Sequence, residues 1–377
     1  YAVAAKAHEH RRMSSLLLQS VVAFLSTLVF LRILAGLAPR IGLVDAPNQR
    51  KVHEGEIPLV GGVAIYLALL LGAALWGDEG INSLSAHGQP IGLFLLAGGI
   101  LVLVGVIDDI RSISVFARIL TEVCVALLII EGLDLRANNL GDLIGTGPVD
   151  LRGWVAYPFT VVCVFGIINA YNMLDGMDGV LGIIGLITLF GFHLFTNTTP
   201  GFITVFISMS LLAFLVSNLG LWPAIPKTFL GDSGSKLMGL IVVSLILSVA
   251  DAQVAGLKYI EPVTALYLVG LPLYDMTFTT LRRVFRGHSP IRPDRSHIHH
   301  LMQDLGLSDR RGLLVISTLG LTSPFLGLML ARSGASTPYQ FFIFVGLFLL
   351  YCVLMHQAWV VAERRLHVGG THQRATL

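Results

Sequence analysis

The sequence predicts an all-α membrane protein that crosses the bilayer about eleven times, and three observations support this class. Only 13% of the 377 residues are charged and 54% are hydrophobic, whereas a soluble domain carries about 25% charged residues. The apolar stretches are continuous rather than alternating, as in transmembrane helices and unlike the strands of a membrane β-barrel. The lysines and arginines gather in the connections between these stretches. A soluble α/β domain is therefore excluded as the fold.

Eleven apolar stretches approach or exceed the length of about 20 residues that crosses a bilayer, the third and the eighth being the short ones. They lie at residues 14–38, 57–77, 91–107, 116–132, 154–172, 178–196, 201–220, 235–250, 262–281, 312–331 and 338–362. We expect one transmembrane domain over residues 14–362, followed by a cytoplasmic tail over 363–377. Residues 1–13 are set apart as an N-terminal tail, because the stretch before Met13 resembles sequence added ahead of a native start.

The positive charges of the connections predict the orientation. One side, which includes Lys236 and the C-terminal tail, carries 17 lysines and arginines, and the opposite side carries 7. Because cytoplasmic loops are enriched in these residues, we expect the N-terminus outside and the C-terminus in the cytoplasm. The longest outer connection, residues 134–153, is rich in Gly and Asn and predicts a short hairpin.

Overall charge and cysteine content exclude several classes of partner and site. A net charge of +2 gives no reason to expect a nucleic-acid partner. Cys124, Cys163 and Cys352 lie singly inside apolar stretches, without the paired spacing of a zinc or redox site. They are expected to be packing residues.

Carboxylates inside or beside apolar stretches are costly and are candidates for function. Asp108 and Asp109 end the third stretch, Glu122 lies inside the fourth and Asp275 inside the ninth. For the adjacent pair, a solvated helix cap explains the residues equally well.

The segment from Asn169 to Gly179 (NAYNMLDGMDG) carries polar residues at every third position. This spacing places Asn169, Asn172 and Asp175 along one side of a helix, with Asp178 just beyond it. Carboxylate and amide oxygens at a membrane edge suit Mg²⁺ together with phosphate. Ordinary capping around a turn is the weaker alternative.

The segment from Phe229 to Ser235 (FLGDSGS) joins Asp232 to a backbone of small residues just before the eighth stretch. A helix start of this kind can bind phosphate while its carboxylate binds the metal that accompanies the phosphate. Alone, the Gly-Asp-Ser-Gly pattern also describes an ordinary N-cap.

Two further segments are cationic. Residues 282–300 hold five arginines and the His297, His299 and His300 run, which favours anion recognition over zinc because helical i, i+4 pairing and cysteines are lacking. An orientation anchor would explain the arginines but not this histidine run. Residues 42–62 include Lys51 within a Pro- and Gly-rich loop, for which lipid-headgroup anchoring is the alternative. All five segments fall on the predicted cytoplasmic side, which indicates a site for a metal, a phosphate and a cytoplasmic substrate.

Taken in chain order, the five segments resemble those of the polyprenyl-phosphate N-acetylhexosamine-1-phosphate transferases. Within that family they resemble the WecA-type undecaprenyl-phosphate GlcNAc-1-phosphate transferases. The matching pieces are GLVDAPNQRKVHEGEIPLVGG, the Asp108–Asp109 pair, NAYNMLDGMDG, FLGDSGS and SPIRPDRSHIHH. The resemblance covers about residues 40–305 and is highly specific in combination. The phospho-MurNAc-pentapeptide transferases share the central acids but differ in the first loop and in the histidine spacing, and they are the nearest rival.

The resemblance implies ten or eleven helices around a cytoplasmic cleft that opens towards the bilayer of a bacterial inner membrane. It implies Mg²⁺, with Mn²⁺ as a substitute, held by Asp232, Asn172 and Asp175. The substrate-binding residues would be Lys51, Arg118, Asn169, Asp178 and Phe229, with Phe229 stacked on uracil and Arg118 at the pyrophosphate. The catalytic residues would be Asp108, Asp109, Asp175, Arg295, His297, His299 and His300.

The implied reaction transfers GlcNAc-1-phosphate from UDP-GlcNAc to undecaprenyl phosphate and releases UMP, as the first membrane step of a cell-surface polysaccharide pathway such as O-antigen synthesis. Either Asp108 or Asp109 would take a proton, or would only orient the attacking phosphate. The expected partners are the two substrates, the lipid bilayer and a second copy in a homodimer. An ion-coupled transporter is the alternative from another class, and it is disfavoured because most of the acids lie at one interface rather than at the midplane.

Overall fold

The computed structural model describes residues 2–46, 55–76, 91–197, 201–250, 260–290 and 295–374. These residues form helices and one two-stranded antiparallel pairing, β1 (Val44–Asp45) with β2 (Ile57–Pro58). The helices are α1 (Ala2–Ile41), α2 (Gly61–Trp76), α3 (Ile91–Arg111), α4 (Val115–Leu133), α5 (Ala156–Leu174), α6 (Val180–Thr196), α7 (Phe202–Asn218), α8 (Gly231–Ala250), α9 (Pro262–Leu266), α10 (Gly270–Phe285), α11 (Ile298–Asp304), α12 (Asp309–Arg332) and α13 (Thr337–Arg374).

Each predicted stretch overlaps a helix, although the second begins in β2, and six helices of the described residues are long and apolar enough to cross a membrane. The prediction of an all-α polytopic membrane protein is confirmed. The third and eighth predicted stretches are shorter than the helices they correspond to. Helix α3 continues through Asp108–Arg111, and α8 already begins at Gly231. The ninth stretch is not one regular helix, since a 3₁₀ turn at Tyr267–Val269 separates α9 from α10.

Helix α8 is the buried centre of the molecule, and 94% of its most apolar window lies inside the protein. It packs against α2, α3 and α5. Small residues allow these close approaches, as is common between membrane helices. A Cβ on Gly239 would lie 2.5 Å from Cα of Ile168, and a Cβ on Gly105 would lie 2.5 Å from Cα of Ser233. Residues at the start of α8 are thereby held against α3.

The outer helices present apolar side chains away from the core. Leu17, Val21 and Leu25 of α1 are all more than half exposed, and only 6% of the apolar window of α13 is buried. A protein that exposed such apolar helix faces to water would be prone to aggregate. They are suited to contact with lipid.

Residues 134–153 contain the short hairpin that the sequence predicts. The Leu140 and Val149 amides donate to the carbonyls of Val149 and Gly141, both at 3.0 Å, and a single antiparallel bridge joins Asn139 to Asp150. The predicted tail boundaries at residues 13 and 362 fall inside α1 and α13, which continue beyond them.

Candidate active site

The sequence segments singled out above meet at one end of the bundle. The strand β2 and the start of α2 run beside residues 229–230, because the Phe229 amide donates to the Pro58 carbonyl and the Gly61 amide donates to the Phe229 carbonyl, both at 2.9 Å. The loop that precedes α2 is thus attached directly to the Gly-Asp-Ser-Gly turn that begins α8. Lys51, the predicted substrate-binding residue of this loop, lies outside the described residues.

Asp108 is a buried carboxylate with all of its oxygens engaged. Arg118 approaches it through two nitrogens, Nη2 at 2.7 Å from Oδ1 and Nε at 2.7 Å from Oδ2. The Ile113 amide donates to Oδ1 at 3.0 Å, and Nζ of Lys236 lies 3.3 Å from Oδ2. Nη2 makes a charge-assisted hydrogen bond to the carboxylate, and Nε adds an ion-pair contact without a hydrogen bond. Asp108 is therefore fixed and neutralised by protein groups.

Asp109 has different partners. Its two oxygens accept the backbone N–H of Asp232 at 3.2 and 3.1 Å, which places it at the N-terminus of α8, where a carboxylate is favoured. No lysine or arginine of the described ranges forms an ion pair with it. Gly231 makes this contact possible: its φ is +73°, and a Cβ there would lie 2.6 Å from Oδ2 of Asp109.

Lys236 is the site residue that the sequence reasoning missed. Counted above as a cation of a cytoplasmic connection, it lies instead inside α8 with 2% of its surface exposed. Its Nζ is 3.1 Å from Oδ2 of Asp232 and 3.3 Å from Oδ2 of Asp108. The signal available in the sequence was a lysine one helical turn after Asp232 at the start of an apolar run.

The two asparagines of α5 face different helices. Asn169, predicted to bind substrate, donates from Nδ2 to the buried Glu122 of α4 at 2.5 Å and to the Phe165 carbonyl at 2.9 Å. Asn172 accepts from the Ser235 hydroxyl of α8 at 2.8 Å. The amide nitrogen of Asn169 is therefore already engaged within the protein, whereas Asn172 lies at the start of α8.

Asp175 ends α5 and is half-buried beside the other acids. Burial, and then the negative charges of Asp232 and Asp178, raise the pKa of Asp175 to about 7. A carboxylate that is held near other carboxylates is one that a cation would stabilise.

The oxygen ligands at this end of the bundle suit Mg²⁺ that is bound together with substrate phosphate. Across the described ranges, no three His, Cys, Asp or Glu side chains converge as an all-protein metal centre would require. Mg²⁺ does not need such a centre, because it is usually bound by one or two carboxylates together with water and substrate phosphates. Asp232 and Asp175, with the amide oxygen of Asn172, fit that requirement.

Asp178 of the α5–α6 connection and Phe229 of the α7–α8 connection are brought together by Lys227. Asp178 forms an ion pair with Lys227, whose Nζ lies 5.5 Å from the centroid of the Phe229 ring. Asn218 fixes this corner, because its Oδ1 accepts the Gly179 amide at 2.6 Å and its Nδ2 donates to the Thr228 carbonyl at 2.9 Å. An aromatic face, a carboxylate and a cation are thus presented together.

His297 lies in a buried cluster. Its Nδ1 is 2.8 Å from Oδ2 of Asp275, and its Nε2 is 3.2 Å from Nη2 of Arg283. A guanidinium can only donate, so Nε2 accepts and Nδ1 carries the proton given to Asp275. Oδ1 of Asp275 accepts the Ile298 amide and the Tyr351 hydroxyl, each at 2.9 Å. Both ring nitrogens of His297 are therefore used within the protein, and the cluster joins α10, α11 and α13.

His299 and His300 lie on α11, and His299 packs directly on the loop between Asp175 and Asp178. A Cβ on Gly176 would lie 2.1 Å from Nε2 of His299. Burial, and then the neighbouring histidines and Arg295, hold the pKa of His299 well below its usual value, and burial followed by Arg295 lowers the pKa of His300. Both rings are therefore neutral at pH 7. Arg295 is half-exposed, with Nη2 4.0 Å from Oδ1 of Asp304.

Comparison with known proteins gives consistent matches. The family model described as glycosyl transferase family 4 matches residues 91–250. An undecaprenyl-phosphate alpha-N-acetylglucosaminyl 1-phosphate transferase of Salmonella typhi is 33% identical over 364 residues, covering 93% of this chain and 94% of that protein. The protein of the same description from Escherichia coli K12 is 32% identical over 90% of this chain and 91% of its own length. A probable undecaprenyl-phosphate N-acetylglucosaminyl 1-phosphate transferase of Bacillus subtilis is 31% identical, with 93% and 92% covered.

Proposed function

This chain belongs to the undecaprenyl-phosphate N-acetylglucosaminyl 1-phosphate transferases of glycosyl transferase family 4, and from that premise we propose that it transfers N-acetylglucosamine 1-phosphate from UDP-GlcNAc to undecaprenyl phosphate. The observation that carries the proposal is identity of 31–33% along at least nine-tenths of the chain. The site supports it, because carboxylates, an aromatic face and cations meet at one end of the bundle. These groups suit a nucleoside diphosphate and a phosphate acceptor.

The reaction is a single phosphoryl transfer. An oxygen of the lipid phosphate bonds to the β-phosphorus of UDP-GlcNAc, and the bond from that phosphorus to the bridging oxygen breaks, so that UMP leaves. The second pKa of a phosphate monoester is near 6, and the attacking group is therefore mostly dianionic at pH 7. Such chemistry requires mainly positioning and neutralisation of charge.

Different residues of this chain would perform the positioning and the charge neutralisation. Asp232, Asp175 and Asn172 would hold Mg²⁺, which supplies charge neutralisation at the diphosphate when bound. Asp109, which forms no ion pair with the part of the chain that the structure describes, would orient the acceptor phosphate and take its remaining proton when there is one.

The remaining contacts to substrate fall to residues at the rim of the site. Phe229 offers a face to the uracil ring, with Asp178 beside it. His299 and His300, neutral at pH 7, and Arg295 lie where the sugar phosphate would bind.

We also propose eleven crossings, with the N-terminus outside and the site at the cytoplasmic face of a bacterial inner membrane. The charge bias supports this orientation, and leaving out the buried Lys236 lowers the count on the cytoplasmic side only from 17 to 16, against 7 outside.

The deciding experiment measures UMP release by the purified full-length chain with undecaprenyl phosphate, Mg²⁺ and a panel of UDP-sugars. We expect UDP-GlcNAc to be used in strong preference to UDP-MurNAc-pentapeptide, and Asp232→Asn to abolish release while the protein stays folded in the membrane. Equal use of the two donors would move the chain to the rival branch. Proton-coupled uptake into vesicles without any UMP would contradict the enzyme class altogether.

A further inference from the structure

A fully buried lysine inside a membrane helix is energetically unfavourable, because removing its ammonium group from water costs several kcal/mol unless the ammonium is well paired. Lys236 is 2% exposed and lies on α8, the most buried helix of the bundle. It belongs to none of the sequence segments that carry the proposed function. Its ammonium contacts one oxygen of Asp232 at 3.1 Å and one of Asp108 at 3.3 Å.

We propose that Lys236 is the built-in counter-cation of this site, a positioning residue that joins Asp108 to Asp232 and limits how tightly a divalent cation binds at Asp232. The inference rests on the proposed metal site and extends it to a residue with no assigned role.

The two carboxylates depend on Lys236 to different degrees. Asp108 already has the two-nitrogen contact with Arg118 at 2.7 Å, so it would remain paired without the lysine. For Asp232, Lys236 is the cation that the described residues place within ion-pair distance. Asp109, which accepts the Asp232 amide, is a further acid nearby. Without Lys236, Asp232 would face these acids uncompensated.

The contact between Lys236 and Asp232 also weakens the binding of a divalent cation. Lys236 occupies one oxygen of Asp232, and its positive charge repels a divalent cation bound to the same carboxylate, in a buried region where charges are poorly screened. Lys236 therefore keeps the carboxylates ordered when no metal is present and weakens metal binding when one is. A residue with only a structural role would do the first and not the second.

The test compares Lys236→Met with wild type in detergent, using the full-length chain. Binding of Mn²⁺ alone is followed by electron paramagnetic resonance, and thermal unfolding is measured in EDTA and in Mg²⁺. We expect Lys236→Met to lower Tm in EDTA, to bind Mn²⁺ at least tenfold more tightly and to gain more Tm from Mg²⁺ than wild type gains. Lys236→Arg, which keeps the charge, should stay within about threefold of wild-type Mn²⁺ affinity.

Arg136→Met is the matched control, because it removes a cation from Asp134 beside the hairpin rather than from Asp232. Its Mn²⁺ affinity should change less than twofold. If Lys236→Met does not fold, Lys236→Gln removes the same charge with a polar group, and the same tightening is expected.

Unchanged or weaker Mn²⁺ binding in the neutral variants would overturn the role of Lys236. A different result overturns the metal site itself: wild type that binds no Mn²⁺, or that binds it as well after Asp232→Asn. The two failures are therefore distinguishable.

Discussion

Asp108 and Asp109 lie side by side at the end of α3 and have different surroundings. Arg118 contacts Asp108 through two nitrogens and Lys236 contacts it as well, while among the described residues Asp109 accepts the amide of Asp232 and forms no ion pair. Removing one partner from a buried ion pair is strongly destabilising, since it leaves an uncompensated charge. A carboxylate outside such a pair is available for the substrate.

We therefore expect Asp108→Asn and Asp109→Asn to fail in different ways. Asp108→Asn should lower the stability by about 3–5 kcal/mol, because it leaves Arg118 and Lys236 with one acid fewer. Asp109→Asn should keep a near-normal Tm, since an amide still accepts the Asp232 N–H, and should lower kcat by about 10²-fold or more. Tm and UMP release, measured on both variants, check this. A stable, inactive Asp108→Asn beside an active Asp109→Asn would reverse the assignment.

The raised pKa of Asp175 predicts a pH dependence. The group binds a proton below about pH 7 in the folded chain but only below its ordinary value of 3.8 when unfolded. Its contribution to stability is therefore present at low pH and is lost as the pH rises towards 7. In EDTA, Tm should show this loss between pH 5 and 7, and Asp175→Asn should remove it.

Mg²⁺ competes with that proton, so its apparent affinity should rise with pH by up to about tenfold per unit and level off above pH 7. The Mg²⁺-dependent gain in Tm, measured across the same range, reports it. A gain that is independent of pH would argue against Asp175 as a ligand.

At the scale of the elements, α11 is held in place from two sides. Asp275 of α10 binds His297 and the first amide of α11, and Tyr351 of α13 supports Asp275. The other side of α11 brings His299 against Gly176. The position of the histidines thus depends on α10 and α13 as well as on α11.

Gly176→Ala tests the close approach of α11 to the acidic loop. A Cβ there would lie 2.1 Å from Nε2 of His299, so the ring must move, and we expect kcat/KM for UDP-GlcNAc to fall at least tenfold. Gly166→Ala is the control, because a Cβ at Gly166 of α5 meets nothing within 4 Å, and its kinetics should equal wild type. Equal activity of both variants would show that the position of His299 does not matter.

Asp275→Asn should disturb α11 through the contacts at its first residues. The amide nitrogen of the new side chain is a donor and faces Nδ1–H of His297, which is also a donor. If His297 moved its proton to Nε2 to relieve this, Nε2–H would face the N–H of Arg283 instead. We expect kcat/KM to fall at least tenfold, about 1.4 kcal/mol. Tyr351→Phe removes one donor only and should cost about 1 kcal/mol of stability with little kinetic change. Steady-state kinetics and Tm of both variants separate these effects.

For the molecule as a whole, the proposed orientation puts the hairpin and the candidate site on opposite sides of the membrane. In a chain with its cysteines replaced by alanine, Thr146→Cys should react with a membrane-impermeant maleimide once the outer membrane is permeable. Ser308→Cys should react only after the inner membrane is opened; both residues are exposed. Labelling in the reverse order would invert the proposed orientation.

The membrane class, the approximate helices and the segments of the candidate site could be predicted from the sequence, because apolar length, loop charge and misplaced acids are local properties of a chain in a bilayer. Which acid has which partner depends on the tertiary structure. Lys236 reaches Asp108 of a distant helix, and Asp275 contacts His297 and Tyr351, which lie far from it in the sequence. Asp108 differs from Asp109 in the direction that each side chain takes from α3. Hydropathy cannot separate such residues, since the energy of a buried charge depends on the partner that folding brings to it.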